Sequence, residues 1–152
     1  MLSIDIPGRG PLSIRHVVFD MNGTLALDGQ LLPQIWPRFA EVRDRYHCLV
    51  LTGDTFGTAG DVQAALGCEL QRVSRGEDKE TVVRGLEGGV AAVGNGRNDA
   101  LMFRAAALAI AVLGPEGLSH HALAKADIIV PDIGAALGLL LAEQRLIATL
   151  RT

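Results

Sequence analysis

His16-Val17-Val18-Phe19-Asp20-Met21-Asn22-Gly23-Thr24 is the stretch on which the fold turns. Three apolar residues end abruptly in a carboxylate, and a glycine follows where the backbone must change direction. A strand that is apolar on both faces belongs inside a parallel sheet covered on both sides. Asp20 then stands at the carboxyl end of that strand. Gly23 is free to take a positive φ, which lets main-chain N–H groups approach a ligand closely.

Upstream, Leu2-Ser3-Ile4-Asp5-Ile6 and Leu12-Ser13-Ile14-Arg15-His16 alternate on either side of Pro7-Gly8-Arg9-Gly10-Pro11. This predicts an N-terminal β-hairpin over 1–16 whose second arm runs on into Val17. Downstream, 24–32 has room for a small flap that turns at Asp28-Gly29. Beyond it, apolar runs of strand length recur at 48–52, 68–73, 90–94, 108–112 and 127–130. Helical patterns separate most of them, at 34–46, 59–66, 78–86 and 98–106, and a closing helix starts near Asp132, with Arg145 to Arg151 extending or following it. Strand and helix alternating in this way require right-handed crossovers and a parallel sheet. The expectation is an α/β fold, a three-layer α/β/α Rossmann-like arrangement forming one domain over 1–152.

The chain has 152 residues, the size of a single domain, and is 49% hydrophobic but only 4% aromatic. That composition excludes disorder and predicts a core of Ala, Val, Leu and Ile. A formal charge of −3 offers no general basic field, so neither nucleic acid nor an anionic membrane is an expected partner. Cys48 and Cys68 read as reduced core thiols. No apolar run approaches the ~18 residues of a membrane span. The start of the chain lacks the features of a signal peptide, so a cytoplasmic location is expected. Trp36, Phe39 and Tyr46 lie at helical spacing and read as core packing, while His16, His47, His120 and His121 fall on no motif.

In open parallel sheets the ligand site lies at the carboxyl ends of the strands, beside the point where strand order reverses. Here those ends carry Asp20, then Thr52-Gly53-Asp54, then Gly94-Asn95-Gly96-Arg97-Asn98-Asp99. A carboxylate in such a place can attack phosphorus, and Thr52 and Gly53 offer a hydroxyl and an open N–H to phosphoryl oxygens. Asn95, Asn98 and Asp99 present the hard oxygens that suit Mg²⁺. Lys79 is one of only two lysines in the chain. It opens a helical pattern, where the helix dipole disfavours a cation, so its placement requires a reason.

These four segments, in this order, resemble the haloacid dehalogenase (HAD) superfamily, whose pattern is Asp-x-Asp-Gly-Thr, a strand ending in Thr or Ser, a Lys, and Gly-Asp-Gly-x-Asn-Asp. The likeness runs from about Val17 to Val130 and is greatest to the phosphorylation domain of P-type ATPases and their soluble relatives. It implies a HAD-type sheet and an Mg²⁺-dependent phosphohydrolase working through an aspartyl phosphate on a phosphorylated small molecule or macromolecule. Asp20 would be the nucleophile, Thr52 and Lys79 its catalytic companions, and Met21, Asn22, Thr52, Gly53 and Lys79 the phosphate-binding set. Asp20, the Asn22 carbonyl, Asn95 and Asp99 would form the metal set.

The chain departs from that pattern twice. Asn22 stands where family phosphatases carry the Asp that protonates the leaving oxygen, and Asn95 where they carry a metal-binding Asp. General acid–base help is worth roughly 10²–10⁴-fold, so slow turnover or a long-lived aspartyl phosphate is expected. The alternative is a catalytically weakened phosphate-binding or regulatory domain of the same fold. Only 32 positions separate Asp20 from Thr52 and 27 separate Thr52 from Lys79, too few for a cap domain or a nucleotide-binding insert. Apolar residues at 137–141 and 146–147 leave room for a homo-oligomer.

Overall fold

The computed structural model describes residues 1–152 and places β3 (His16–Asp20) at the centre of a six-stranded sheet. On one side lie β6 (His47–Thr52) and β7 (Glu69–Arg72); on the other lie β8 (Val90–Gly94), β9 (Leu108–Val112) and β10 (Ile128–Val130). All five pairings are parallel. The chain leaves β3 in one direction and later returns to its other side at β8. The reversal of strand order therefore falls between β3 and β8, and a crevice opens above them.

Alternation along the strands divides the core into two layers. Val17, Phe19, Val50, Ala91 and Ile110 face α1 (Phe39–Arg45), α2 (Ala59–Leu66) and α6 (Ile133–Leu140). Val18, Leu49, Leu51, Ala92 and Ala109 face α3 (Gly76–Gly85), α4 (Ala100–Ala105) and the short α5 (His120–Leu123). The hairpin of β1 (Leu2–Ile6) and β2 (Gly10–Ile14) adds Leu2, Ile6, Leu12 and Ile14 to the first layer. It forms a separate sheet, because Arg15 interrupts the run expected to be continuous and both Arg15 N and His16 N donate to the Gly89 carbonyl.

The flap is β4 (Ala26–Leu27) paired with β5 (Gln30–Leu31), and Asp28 (φ 51°) and Gly29 (φ 80°) both take the left-handed conformation that a tight hairpin turn requires. No cap domain interrupts the sheet. The helix expected over 34–46 is broken into a 3₁₀ turn at Pro33–Ile35 and α1 at Phe39–Arg45. Pro37 has no N–H to continue the ladder. The break changes the helical phase and corrects the placement of Trp36, which is 52% exposed, while Phe39 and Tyr46 are buried as expected. Asp132 caps α6 by accepting from Ala135 N at 2.8 Å. A 102° bend separates α6 from α7 (Glu143–Leu150), and no single helix is long and apolar enough to cross a membrane.

Candidate active site

Every buried polar or charged side chain in the molecule belongs to one cluster: Asp20, Thr24, Thr52, Lys79, Asn95 and Asp99. The elements that deliver them are the tips of β3, β6 and β8, the first turn of α3, and the 3₁₀ turn Arg97–Asp99. All meet above the β3/β8 reversal.

Lys79 sits at the centre. Its ammonium donates to Asp20 Oδ1 at 2.7 Å and to Asp99 Oδ1 at 2.8 Å and is 1% exposed. Two carboxylates outweigh the helix dipole, which explains a cation in the first turn of α3. An ammonium has three protons, so one remains for a ligand oxygen. Burial acts to lower the Lys79 pKa, but Asp99 and Asp20 override it and hold the group above its ordinary value. The Asp20 carboxyl is pushed up to about 7, first by burial and then by the charge of Asp99, against the opposing pull of Lys79 and Thr24.

Asp99 plays a part that its place in the sequence did not reveal. Its Oδ2 accepts from Asn95 N at 3.0 Å and from Gly96 N at 2.9 Å while Oδ1 holds Lys79. It is fully buried and does not line the cavity that Asp20 faces. Asp99 thus shapes the loop after β8 and anchors the lysine. Met21, expected among the phosphate-binding residues, buries its side chain in the core, and its carbonyl accepts from Thr24, Leu25 and Ala26 N, which folds the loop behind Asp20.

Thr24 closes the Asp20 motif, and its place in the sequence assigns it no partner. Its hydroxyl lies 3.2 Å from both Asp20 Oδ2 and Asn95 Oδ1. One hydroxyl proton serves only one of them at a time, so the other oxygen keeps an open lone pair. Asn95 Nδ2 donates to Gly117 O at 3.0 Å, which fixes the amide with its oxygen toward the Thr24 hydroxyl. Gly23, at φ 84°, makes this approach sterically feasible, because a Cβ there would collide with the Asn95 amide. Asn22 turns its side-chain oxygen to the flap, accepting from Gly29 N at 2.8 Å.

Thr52 ends β6 and is 3% exposed; its Oγ1 accepts from Asp54 N at 3.0 Å. Asp54 in turn accepts from Ala59 N and Arg72, which holds its carboxyl below the usual range and fixes the loop that carries Gly53. The cavity has a volume of about 270 Å³, and none of its lining residues is hydrophobic. Asp20, Asn22, Thr52, Gly53, Lys79 and Asn95 line it, together with Thr55, Ser74, Gly96, Asn98 and Glu116.

The donors open to this cavity are oxygens: the Asp20 carboxylate, the Asn95 amide oxygen and the residues of the Asn22 loop. Mg²⁺ is held by one or two carboxylates together with water and substrate phosphate, so this set fits the ion with Asp20 as its single charged ligand.

No family model matches the chain. An uncharacterized protein of Methanocaldococcus jannaschii is 48% identical over 62 residues, 41% of this chain and 67% of that one. Among solved structures, the 3-deoxy-D-manno-octulosonate 8-phosphate phosphatase of Moraxella catarrhalis, in complex with magnesium, phosphate and sugar, superposes with a TM-score of 0.71 at 20% identity. The match covers 91% of this chain and 94% of that one. A zinc-transporting PIB-type ATPase gives a TM-score of 0.66 at 28% identity over 79% of this chain, which spans only 20% of the transporter. The fold is that of the haloacid dehalogenase superfamily. Within that fold, the chain aligns with both a phosphatase and part of a zinc-transporting ATPase.

Proposed function

We propose that the protein is a phosphohydrolase that transfers a phosphoryl group to Asp20 and then to water. One observation carries the reading: a buried Lys79 bridges Asp20 and Asp99 at the strand-order reversal, inside a cavity with no apolar lining residue. Asp20 attacks phosphorus, the Asp20–phosphoryl bond forms, and the bond to the leaving oxygen breaks. The Thr52 hydroxyl, the Gly53 N–H and the free Lys79 proton receive the phosphoryl oxygens. The Thr24 hydroxyl donates to the nucleophile's second oxygen and holds it in place. Asp20, the Asn95 side chain and the Asn22 carbonyl would hold Mg²⁺, which supplies charge neutralisation of the phosphoryl oxygens when bound. Asn22 cannot protonate a leaving group, because an amide has no acidic proton at neutral pH and its oxygen is tied to the flap.

The polar lining and a volume of about 270 Å³ favour a small hydrophilic phosphate with a good leaving group, such as an acyl phosphate, acted on in the cytoplasm. Phosphate release from a panel of esters and acyl phosphates with Mg²⁺ tests the proposal. Turnover above that of Asp20→Asn is expected, and equal rates would refute it. A second reading, a phosphate-binding domain without turnover, is favoured by Asn22 and Asn95. Saturable phosphate binding by calorimetry in the absence of any release selects it.

A further inference from the structure

Hydrolysis of an aspartyl phosphate needs a group to take a proton from the attacking water, and the cavity narrows the choice. Among its lining residues only Asp20, Lys79 and Glu116 ionise. Asp20 is the esterified group itself in that step. Lys79 is a buried ammonium that donates to both Asp20 and Asp99, so it offers no lone pair to a water proton. Asn22, Asn95 and Asn98 are amides, and Thr52, Thr55 and Ser74 are neutral alcohols of negligible basicity. Glu116 remains.

Its position is built rather than incidental. Glu116 belongs to the turn Gly114–Gly117, closed by Gly117 N donating to Gly114 O at 3.0 Å, with Pro115 fixing φ at the second position. That turn is docked onto both loops of the site. A Cβ on Gly114 would sit 3.0 Å from the Gly23 carbonyl oxygen, so the turn lies directly on the nucleophile loop. Asn95 Nδ2 donates to Gly117 O at 3.0 Å, and Ser119 N donates to Asn95 O at 2.8 Å. The Glu116 carboxylate enters no ion pair, which leaves it free to act.

We infer that Glu116 is the general base of the dephosphorylation step, taking the part for which Asn22 is chemically unfit. The inference rests on the reading of Asp20 as the phosphorylated nucleophile. In the step, the Glu116 carboxylate takes a proton from water as the water oxygen bonds to phosphorus. The bond between phosphorus and the Asp20 oxygen breaks with its electron pair returning to the Asp20 carboxylate. Inorganic phosphate leaves, and Glu116 returns its proton to solvent. Formation of the aspartyl phosphate from an acyl phosphate does not involve Glu116, because a carboxylate leaving group needs no proton.

The full chain is labelled with radioactive acetyl phosphate and Mg²⁺, chased with unlabelled donor, and the acid-stable label on Asp20 is followed with time. In Glu116→Gln the label is expected to form at the wild-type rate and decay about 10²-fold more slowly, the scale of one general base. Glu116→Asp, which keeps the carboxylate on a shorter arm, is expected to fall between the two. Unchanged decay in Glu116→Gln overturns the assignment, and so does equal slowing of formation and decay, which is the signature of a merely positioning residue. If the wild-type protein is never labelled, the Asp20 reading falls and the assignment with it. A labelled wild type with unaltered Glu116→Gln decay overturns the Glu116 role alone.

Discussion

The two ends of the parallel sheet differ in what is buried there. At the carboxyl ends, six polar or charged side chains are withdrawn from water, and each has a hydrogen-bonding partner. At the amino ends, the hairpin seals the sheet with Leu2, Ile6, Leu12 and Ile14, all buried, and its polar contacts lie at the rim. There Arg9 reaches Asp127 Oδ1 at 3.1 Å and Ala107 O at 3.0 Å, both half-exposed ion-pair partners remaining in contact with solvent. Burying an apolar side chain stabilises a fold by about 1.5–3 kcal/mol, whereas burying an ion costs several kcal/mol unless it is paired. One end therefore contributes stability, and the other holds two carboxylates in tension around a single ammonium.

The sharpest way to break this contrast is Lys79→Met. It leaves Asp20 and Asp99 facing each other without their cation, and a loss of about 3–5 kcal/mol in urea unfolding is expected, together with loss of all turnover. At the opposite end, Ile14→Ala removes only packing. It is expected to cost about 2–5 kcal/mol while the rate per folded molecule stays at the wild-type value.

Asp20→Asn probes the tension directly. The folded Asp20 carboxyl titrates at about 7 against an ordinary value of 3.8, so the native state favours the protonated form. Its contribution to stability is complete below the unfolded value and is lost as pH rises through about 7. Asp20→Asn removes that loss. A gain of roughly 1–3 kcal/mol at pH 8, shrinking toward pH 5, is expected by thermal or urea unfolding, in a protein that no longer turns over. The smallest effect is that of Arg9→Ala, a half-exposed pair whose loss is expected to cost less than about 1 kcal/mol and to leave activity unchanged.

The site's main parts were legible because each follows a signal that survives in one dimension. Asp20, Thr52 and the loop after Gly94 each end an apolar run, and in a parallel sheet such ends share one side. Lys79 stood out because lysine is rare in this chain and disfavoured at that place on a helix. Thr24 closes the Asp20 motif without any sign of what it bonds, and Glu116 had no signal of its own. Thr24 acts only because Gly23, at positive φ, folds its hydroxyl back to Asp20 and Asn95. Glu116 reaches the cavity only because the turn after β9 lies on the Gly23 loop, far away in sequence. Trp36 was misplaced because a spacing argument assumes an unbroken helix, and Pro37 ends one.

The sequence by itself determined the strand and helix alternation, the parallel sheet with its hairpin and small flap, and the set Asp20, Thr52 and Lys79. Those features depend on local periodicity and on residues whose chemistry is unusual for their position. Only the tertiary structure decided that Asp99 secures Lys79 rather than facing the cavity, that Asn22 serves the flap, and that Glu116 is the one uncommitted carboxylate at the site. Each of those outcomes is a choice among hydrogen-bonding partners. Such a choice is made by distances of about 3 Å between segments far apart in the chain, and distance is what a sequence does not contain.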